Sequence, residues 1–267
     1  RRPAADERGV ECMATVMDVY RFLDEKAPFS TQLSFDNAGF LVGRGDRQVS
    51  AILVALDITE TVAEEAVQIG AELIVSHHPV IFSPARHVTD QDPSGRRLLA
   101  LLEHNVAAIC AHTNLDIAAG GVNDALARAL GLEQVGPFSE DGIGRTGVTS
   151  GAPSAEAFAA QVKKLLGANG VRFVDGGRPV RKVAVGGGAC GDMGPLASAC
   201  GCDTFVTSDV KYHEFQEAEA LGLNLIDAGH YPTENVVCPV LAGWLQEGFP
   251  DVRVLISHRH HEVFSYV

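Results

Sequence analysis

Short, unbroken apolar runs recur along this chain, each followed by an amphipathic stretch, and that alternation restricts it to a sheet with helices packed over it. Ala51 to Leu56, Glu72 to Val75 and Val106 to Cys110 read as strands covered on both faces. Between them, Glu60 to Ile69 reads as a helix that Asp57 or Thr59 can cap and Gly70 can end. Ser94 to His104 reads as a second helix. Ahead of this series, Val16, Val19, Tyr20 and Leu23 give Thr15 to Glu25 the spacing of an amphipathic helix. A loop over 34–39 then leads into a short strand, Phe40-Leu41-Val42. The prediction is an α/β fold with mainly parallel sheets.

The second half repeats the first in order. A stretch rich in Gly, Ser and Pro, Pro137 to Pro153, reads as a hinge or surface crossing. Ser154 can cap a helix to Leu166, followed by a strand over Val171 to Val174. Lys182 to Val185 then matches Ala51 to Leu56, and Gly201 stands where Gly70 stood. Asp203 to Thr207 matches Glu72 to Ser76, so that Ser208-Asp209 falls where His77-His78 did. The strand Leu223 to Ala228 ends in His230-x-x-x-Glu234, a copy of His112-x-x-x-Asp116. Two similar α/β units account for this better than chance, because the paired His-x-x-x-acid endings recur at the same point of both.

Length and composition narrow the function classes. The 267 residues suffice for one large domain or two small ones, each with its own core. No apolar stretch reaches the roughly 18 residues that a membrane span needs. The polar start, Arg1 to Cys12, has no apolar signal core, so a cytoplasmic protein is expected. Met13 opens a run that reads like a natural start, and residues 1–12 are expected to be a disordered tail. A net charge of -13 argues against a general nucleic-acid or membrane surface. It leaves room for a nucleotide substrate, because bound cations would reverse the local field. The six cysteines form no C-x-x-C pair and read as reduced, mostly buried thiols, with Cys200 and Cys202 at a helix-to-strand turn.

The candidate chemistry lies at strand ends, where open α/β sheets place their ligands. His77 and His78 follow four apolar residues and precede Pro79, so a turn there can splay both rings into one crevice. Asp116 and Glu234 each stand one helical turn beyond a strand-end histidine, and Pro232 suits the first turn of a helix bearing His230 and Glu234. Carboxylates can bridge two cations while imidazoles hold each one, so His77, His78, Asp116, His230 and Glu234 make a coherent two-metal set. Each acid alone can be explained as a helix N-terminal residue stabilised by the dipole. That explanation does not cover all five residues at strand ends. His112 is a further candidate, as a ligand, an orienting group or a proton carrier.

Other features carry less. Gly186 to Gly191 matches G-x-G-x-x-G formally, but a tight turn packed on the sheet is the commoner cause, and no NAD site is inferred. Lys211, Tyr212 and His213 suit either a crevice for an anionic substrate or a solvated helix start. The run Ser257 to Glu262 is His-rich but reads as an exposed edge near the terminus. Neither a Gly-x-Ser-x-Gly elbow nor a phosphate-binding Walker loop occurs, so serine hydrolysis and P-loop chemistry lack support.

Taken together, the stretches 34–43, 74–79, 112–116, Gly121-Val122-Asn123-Asp124, 208–213 and 229–234 resemble the GTP cyclohydrolase 1 type 2 family, also called the Nif-three-like or dinuclear metal-binding family. They span nearly all of Met13 to Trp244 in the family's order. Phe35 stands where the family often has Trp, Ala38 where it often has Val, and the extra central domain of longer members is missing. The resemblance implies two interlinked α/β domains, 13–130 plus 228–267 and 131–227, assembled into a toroidal homohexamer. It implies two divalent ions per subunit (Zn, Mn, Fe, Co or Ni) on His77, His78, Asp116, His230 and Glu234. The activity it implies is hydrolysis of the guanine imidazole ring of GTP or a related nucleotide by a metal-activated hydroxide, with His112 transferring a proton. A metal-dependent phosphoesterase and a non-catalytic metal-binding scaffold or regulator are the competing readings. An enzyme is favoured because no further ligand is evident to close the coordination shell.

Overall fold

A computed structural model describes residues 13–267; the expected tail over 1–12 lies outside the described residues. The chain divides into two compact units, each assembled from two separate stretches. One takes the residues up to Leu115 together with Cys238–His260, and the other takes Asp116–Val237 with His261–Val267.

In the first unit the strands are β1 (Gly39–Val42), β2 (Ala51–Ala55), β3 (Leu73–Ser76), β4 (Ala107–Cys110) and, far along the chain, β11 (Arg253–Ile256). They form one sheet in the order β1-β4-β3-β2-β11. All its pairings are parallel except that of β1 with β4. Every residue of β2, β3 and β4 is buried, as their continuous apolar runs require. The helices follow their capping signals closely. Thr15 and Asp18 form a capping box at the start of Val16–Lys26. Of the two candidate caps for Glu60–Ile69, Thr59 serves, its hydroxyl accepting from Val62 N at 3.2 Å, and Gly70 ends the helix at φ +70°.

The second unit holds β5 (Glu133–Pro137), β6 (Arg145–Val148), β7 (Arg172–Val174), β8 (Lys182–Val185), β9 (Thr204–Thr207) and β10 (Asn224–Asp227). The sheet order is β5-β6-β8-β9-β10-β7. Its core, β8-β9-β10, is parallel, and the outer strands join antiparallel. The segment expected as a hinge, Pro137 to Pro153, thus contains a strand. Gly142 and Gly144 turn the chain at positive φ, and β6 pairs with β8, a partner that local composition does not reveal.

The internal repeat appears as matching topology. In each unit three consecutive strands run parallel, β2-β3-β4 and β8-β9-β10, and the strand preceding them pairs antiparallel with the third. Cys110, Cys202 and Cys238 are buried and Cys190 and Cys200 half-buried, while Cys12 lies outside the described residues. Cys200 caps the helix Gly194–Ala199 and Cys202 precedes β9, the expected helix-to-strand turn. Among the described residues no helix is long and apolar enough to cross a membrane.

Candidate metal centre

In the first unit, β3 runs directly into His77 and His78. Their backbone N–H groups continue the ladder to β2, bonding Ala55 O and Leu56 O, which fixes both Cα positions. Ser76 Oγ closes the turn on His78 O at 2.9 Å. The neighbouring strand β4 delivers His112, and the three imidazoles form a triangle with ring centroids 5.0, 5.2 and 5.6 Å apart. One nitrogen of each lies within 4.8 Å of the others, a spacing that can hold a metal ion.

Each ring of this triangle is held from behind through Nδ1. His77 Nδ1 donates to the Ala111 carbonyl at 2.8 Å, His78 Nδ1 to Asp57 at 2.7 Å and His112 Nδ1 to Asp36 at 2.8 Å. A carbonyl can only accept, so His77 carries its proton on Nδ1 and presents a lone pair at Nε2. This is the way proteins fix imidazole ligands: an oxygen on one nitrogen sets the tautomer and raises the basicity of the other. Asp36 is further bound by the N–H and hydroxyl of Thr113. Burial alone would raise its carboxyl, but the bonds from His112 and Thr113 outweigh that and hold it well below the ordinary carboxylate range. Asn114, the other polar residue of this loop, anchors it by donating to Ala27 O at 2.7 Å.

The second unit carries a comparable set. Gly229 at φ +87° turns the chain out of β10 into a one-turn helix, His230–Glu234, with Pro232 inside it. That turn stacks His230 Nε2 2.9 Å from Glu234 Oε2. His230 Nδ1 donates to Asp209 at 2.6 Å, and Asp209 occupies the repeat position of the histidine pair, at φ +52°. A non-glycine residue with positive φ is uncommon, and Asp is among the few that tolerate it. Asp116, in the short helix Thr113–Ile117, offers an oxygen within 4.8 Å of one on Glu234, and both acids are buried. Cys190 lies near this pair. Burial first, then the charges of Asp116 and Glu234, push its thiol up to about 12, so it is neutral at ordinary pH.

The structure thus gathers His77, His78 and His112 in one unit and Asp116, His230 and Glu234 in the other. The backing groups Asp36, Asp57 and Asp209 were not assigned from sequence. In the sequence Asp57 reads only as a possible helix cap, and its role shows once β2 and β3 lie side by side. The donor set of imidazoles fixed by oxygen, with buried carboxylates, fits a divalent transition metal or zinc.

The remaining sequence candidates resolve differently. The N–H groups of Gly187, Gly188 and Cys190 bond Asn123, Thr233 and Thr207, so the glycine-rich loop is an internal packing turn. Lys211 is the exposed N-cap of the helix Tyr212–Leu221, where Glu214 closes a capping interaction, and Tyr212 is 78% exposed. These are features of a solvated helix start. The run after Ser257 is less exposed than expected: Ser257 and His260 are buried, and Ser257 Oγ and His258 N bond Glu65.

Compared with known proteins, residues 14–262 match the model of the Duf34/NIF3 (NGG1p interacting factor 3) family. The chain is 35% identical over 260 residues to a Streptomyces coelicolor protein named GTP cyclohydrolase 1 type 2 homolog, covering 93% of this chain and 88% of that one. A Clostridium perfringens protein of the same name is 31% identical over 94% of this chain and 98% of its own length. Among solved structures, a Staphylococcus aureus hypothetical protein superposes with a TM-score of 0.89 at 28% identity, covering 96% of this chain and all of that one. A Bacillus cereus protein related to NIF3 gives the same TM-score at 25% identity, over 96% and 99% of the two chains.

Proposed function

Because this chain belongs to the Duf34/NIF3 family, we propose that it is a dinuclear-metal-dependent hydrolase acting on GTP or a related nucleotide. His77, His78, Asp116, His230 and Glu234 are its proposed ligands. The observation that carries this reading is that His77, His78, His112 and His230 each have Nδ1 committed to an oxygen acceptor. Structural histidines have no need of such uniform backing; ligand histidines do. The name borne by the curated relatives supplies the reaction class.

Bound there, a pair of divalent cations would polarise the bond under attack and offset developing negative charge. The protein's own part is orientation and proton handling. Asp116 and Glu234, as carboxylates, can bridge two cations, and the charge of those cations would attract an anionic nucleotide locally. Asp36 keeps the proton of His112 on Nδ1, so Nε2 is the atom that can take a proton from water or pass one to a leaving nitrogen. The assembly that goes with this reading is a toroidal homohexamer, which light scattering of the purified protein would measure.

The deciding experiment incubates metal-loaded protein with a panel of nucleotides and assays formate and inorganic phosphate separately. Formate from GTP, lost in His112→Ala, supports the proposal. Phosphate alone would make the protein a phosphoesterase. Neither product with any of the five metals would leave a metal-binding scaffold.

A further inference from the structure

Asn123 sits on the first turn of the helix Val122–Ala129, almost completely buried, and its amide spans two segments of the second unit. Its Nδ2 donates to the backbone carbonyl of Asp116 at 3.0 Å, and its Oδ1 accepts from Gly187 N at 2.9 Å. The next residue, Gly188, donates its N–H to Thr233 Oγ1 at 3.1 Å. Thr233, also fully buried, lies within the His230–Glu234 turn. The glycine loop itself abuts the acid: a Cβ at Gly188 would fall 2.2 Å from Glu234 Oε1 and 3.5 Å from His230 Cε1. Gly188 is at φ +69°, so glycine is required there for conformation as well as for space.

From these contacts we infer that Asn123, acting through Gly187, Gly188 and Thr233, is a positioning residue that sets the separation between Asp116 and Glu234. One end of the relay fixes the backbone that carries Asp116. The other end presses bare backbone against the Glu234 carboxylate and ties down the turn that carries it. An amide is the side chain that suits this position, because the relay needs a donor at one end and an acceptor at the other. Both polar ends are buried, so losing either leaves a stranded group that favours a shift of the segment it held. The formal phosphate-loop signature is thereby accounted for: its glycines admit a carboxylate. This inference rests on the proposed metal centre.

The test measures divalent-metal affinity by chelator competition and records the cobalt-substituted absorption spectrum, for wild type and for Asn123→Asp and Asn123→Ala. Asn123→Asp keeps the size and the acceptor for Gly187 but turns the donor at Asp116 O into an oxygen. Affinity should fall about 10–100-fold, as for other groups that orient metal ligands, and the cobalt bands should shift in position. Should neither Asn123 variant fold, Thr233→Val removes the acceptor for Gly188 and carries the same expectation. A folded variant with wild-type affinity and an unchanged cobalt spectrum overturns the positioning role while leaving the metal centre intact. Absence of stoichiometric metal binding by the wild type would overturn both.

Discussion

Asp36 holds His112 across 76 residues of sequence: its Oδ1 lies 2.8 Å from the ring Nδ1, while its other oxygen takes the N–H and hydroxyl of Thr113. The side chain of Asp36 is fully enclosed. One carboxylate therefore fixes both the orientation of the proposed proton carrier and the start of the helix that follows it.

Asp36→Ala strands these donors in a buried site, and the expected loss of stability is about 1–3 kcal/mol, read as a lowered urea midpoint. Asp36→Asn keeps the volume but loses the charge that favours the proton on Nδ1. It should fold and be at least ~100-fold slower in the formate assay, the scale of general acid–base catalysis. Wild-type turnover in Asp36→Asn would remove His112 from the proton path.

Elemental analysis of the purified wild type should find about two divalent ions per chain, following the ligand count of a two-metal site. His78→Ala should hold fewer with an unchanged circular dichroism spectrum. Asp57→Ala, which removes the backing of His78, should bind metal about 10–100-fold more weakly. Full metal content in His78→Ala would exclude that residue from the centre.

Asp124 and Arg145 form a bidentate pair, with nitrogen–oxygen distances of 2.8 and 3.1 Å, and Arg145 also donates to the carbonyls of Ile117 and Ala118. Burial pushes the Asp124 carboxyl up, but the hydrogen bonds from Arg145 and Gly120 and the charge of Arg145 bring it below its ordinary value. A depressed carboxylate stabilises the fold above the unfolded pKa, about 3.9 for Asp, and that contribution fades as pH falls through the folded value. Asp124→Asn should cost about 3 kcal/mol at pH 7 and progressively less below pH ~4. Urea titrations at pH 7 and pH 3 read the difference; an equal cost at both would show that the charge contributes nothing.

Ser257→Ala removes a hydroxyl bound to buried Glu65 and should lower stability by about 1–3 kcal/mol. His261→Ala should leave both stability and metal content at wild-type values. Metal loss in the His261 variant would instead make the His-rich end part of the centre.

Much of this arrangement was legible along the chain because it is encoded locally. Thr59 and Ser154 cap the helices that their positions announce, and Gly70 and Gly167 end them in the left-handed conformation. The strand ends carrying His77, His78, His112 and His230 followed from apolar runs meeting polar residues. What stayed hidden depends on partners brought together by the fold. Strand β6 is identifiable only by its neighbour β8. Asp57 and Asp209 bond histidines 21 residues away, and no local pattern distinguishes them from a cap or a turn residue. The glycine-rich loop was recognisable as close packing, but its neighbour, Glu234, was not.

The order in which the first sheet is completed has a consequence for biosynthesis. Strand β11 covers the outer edge of β2, yet it is translated long after β2, once Asp116–Val237 of the second unit has been made. Until then β2 presents an apolar strand with open hydrogen-bonding groups, the kind of edge that recruits other chains. A ribosome stalled or terminated shortly before Arg253 would therefore release a sticky product, and chaperone demand should peak late in elongation.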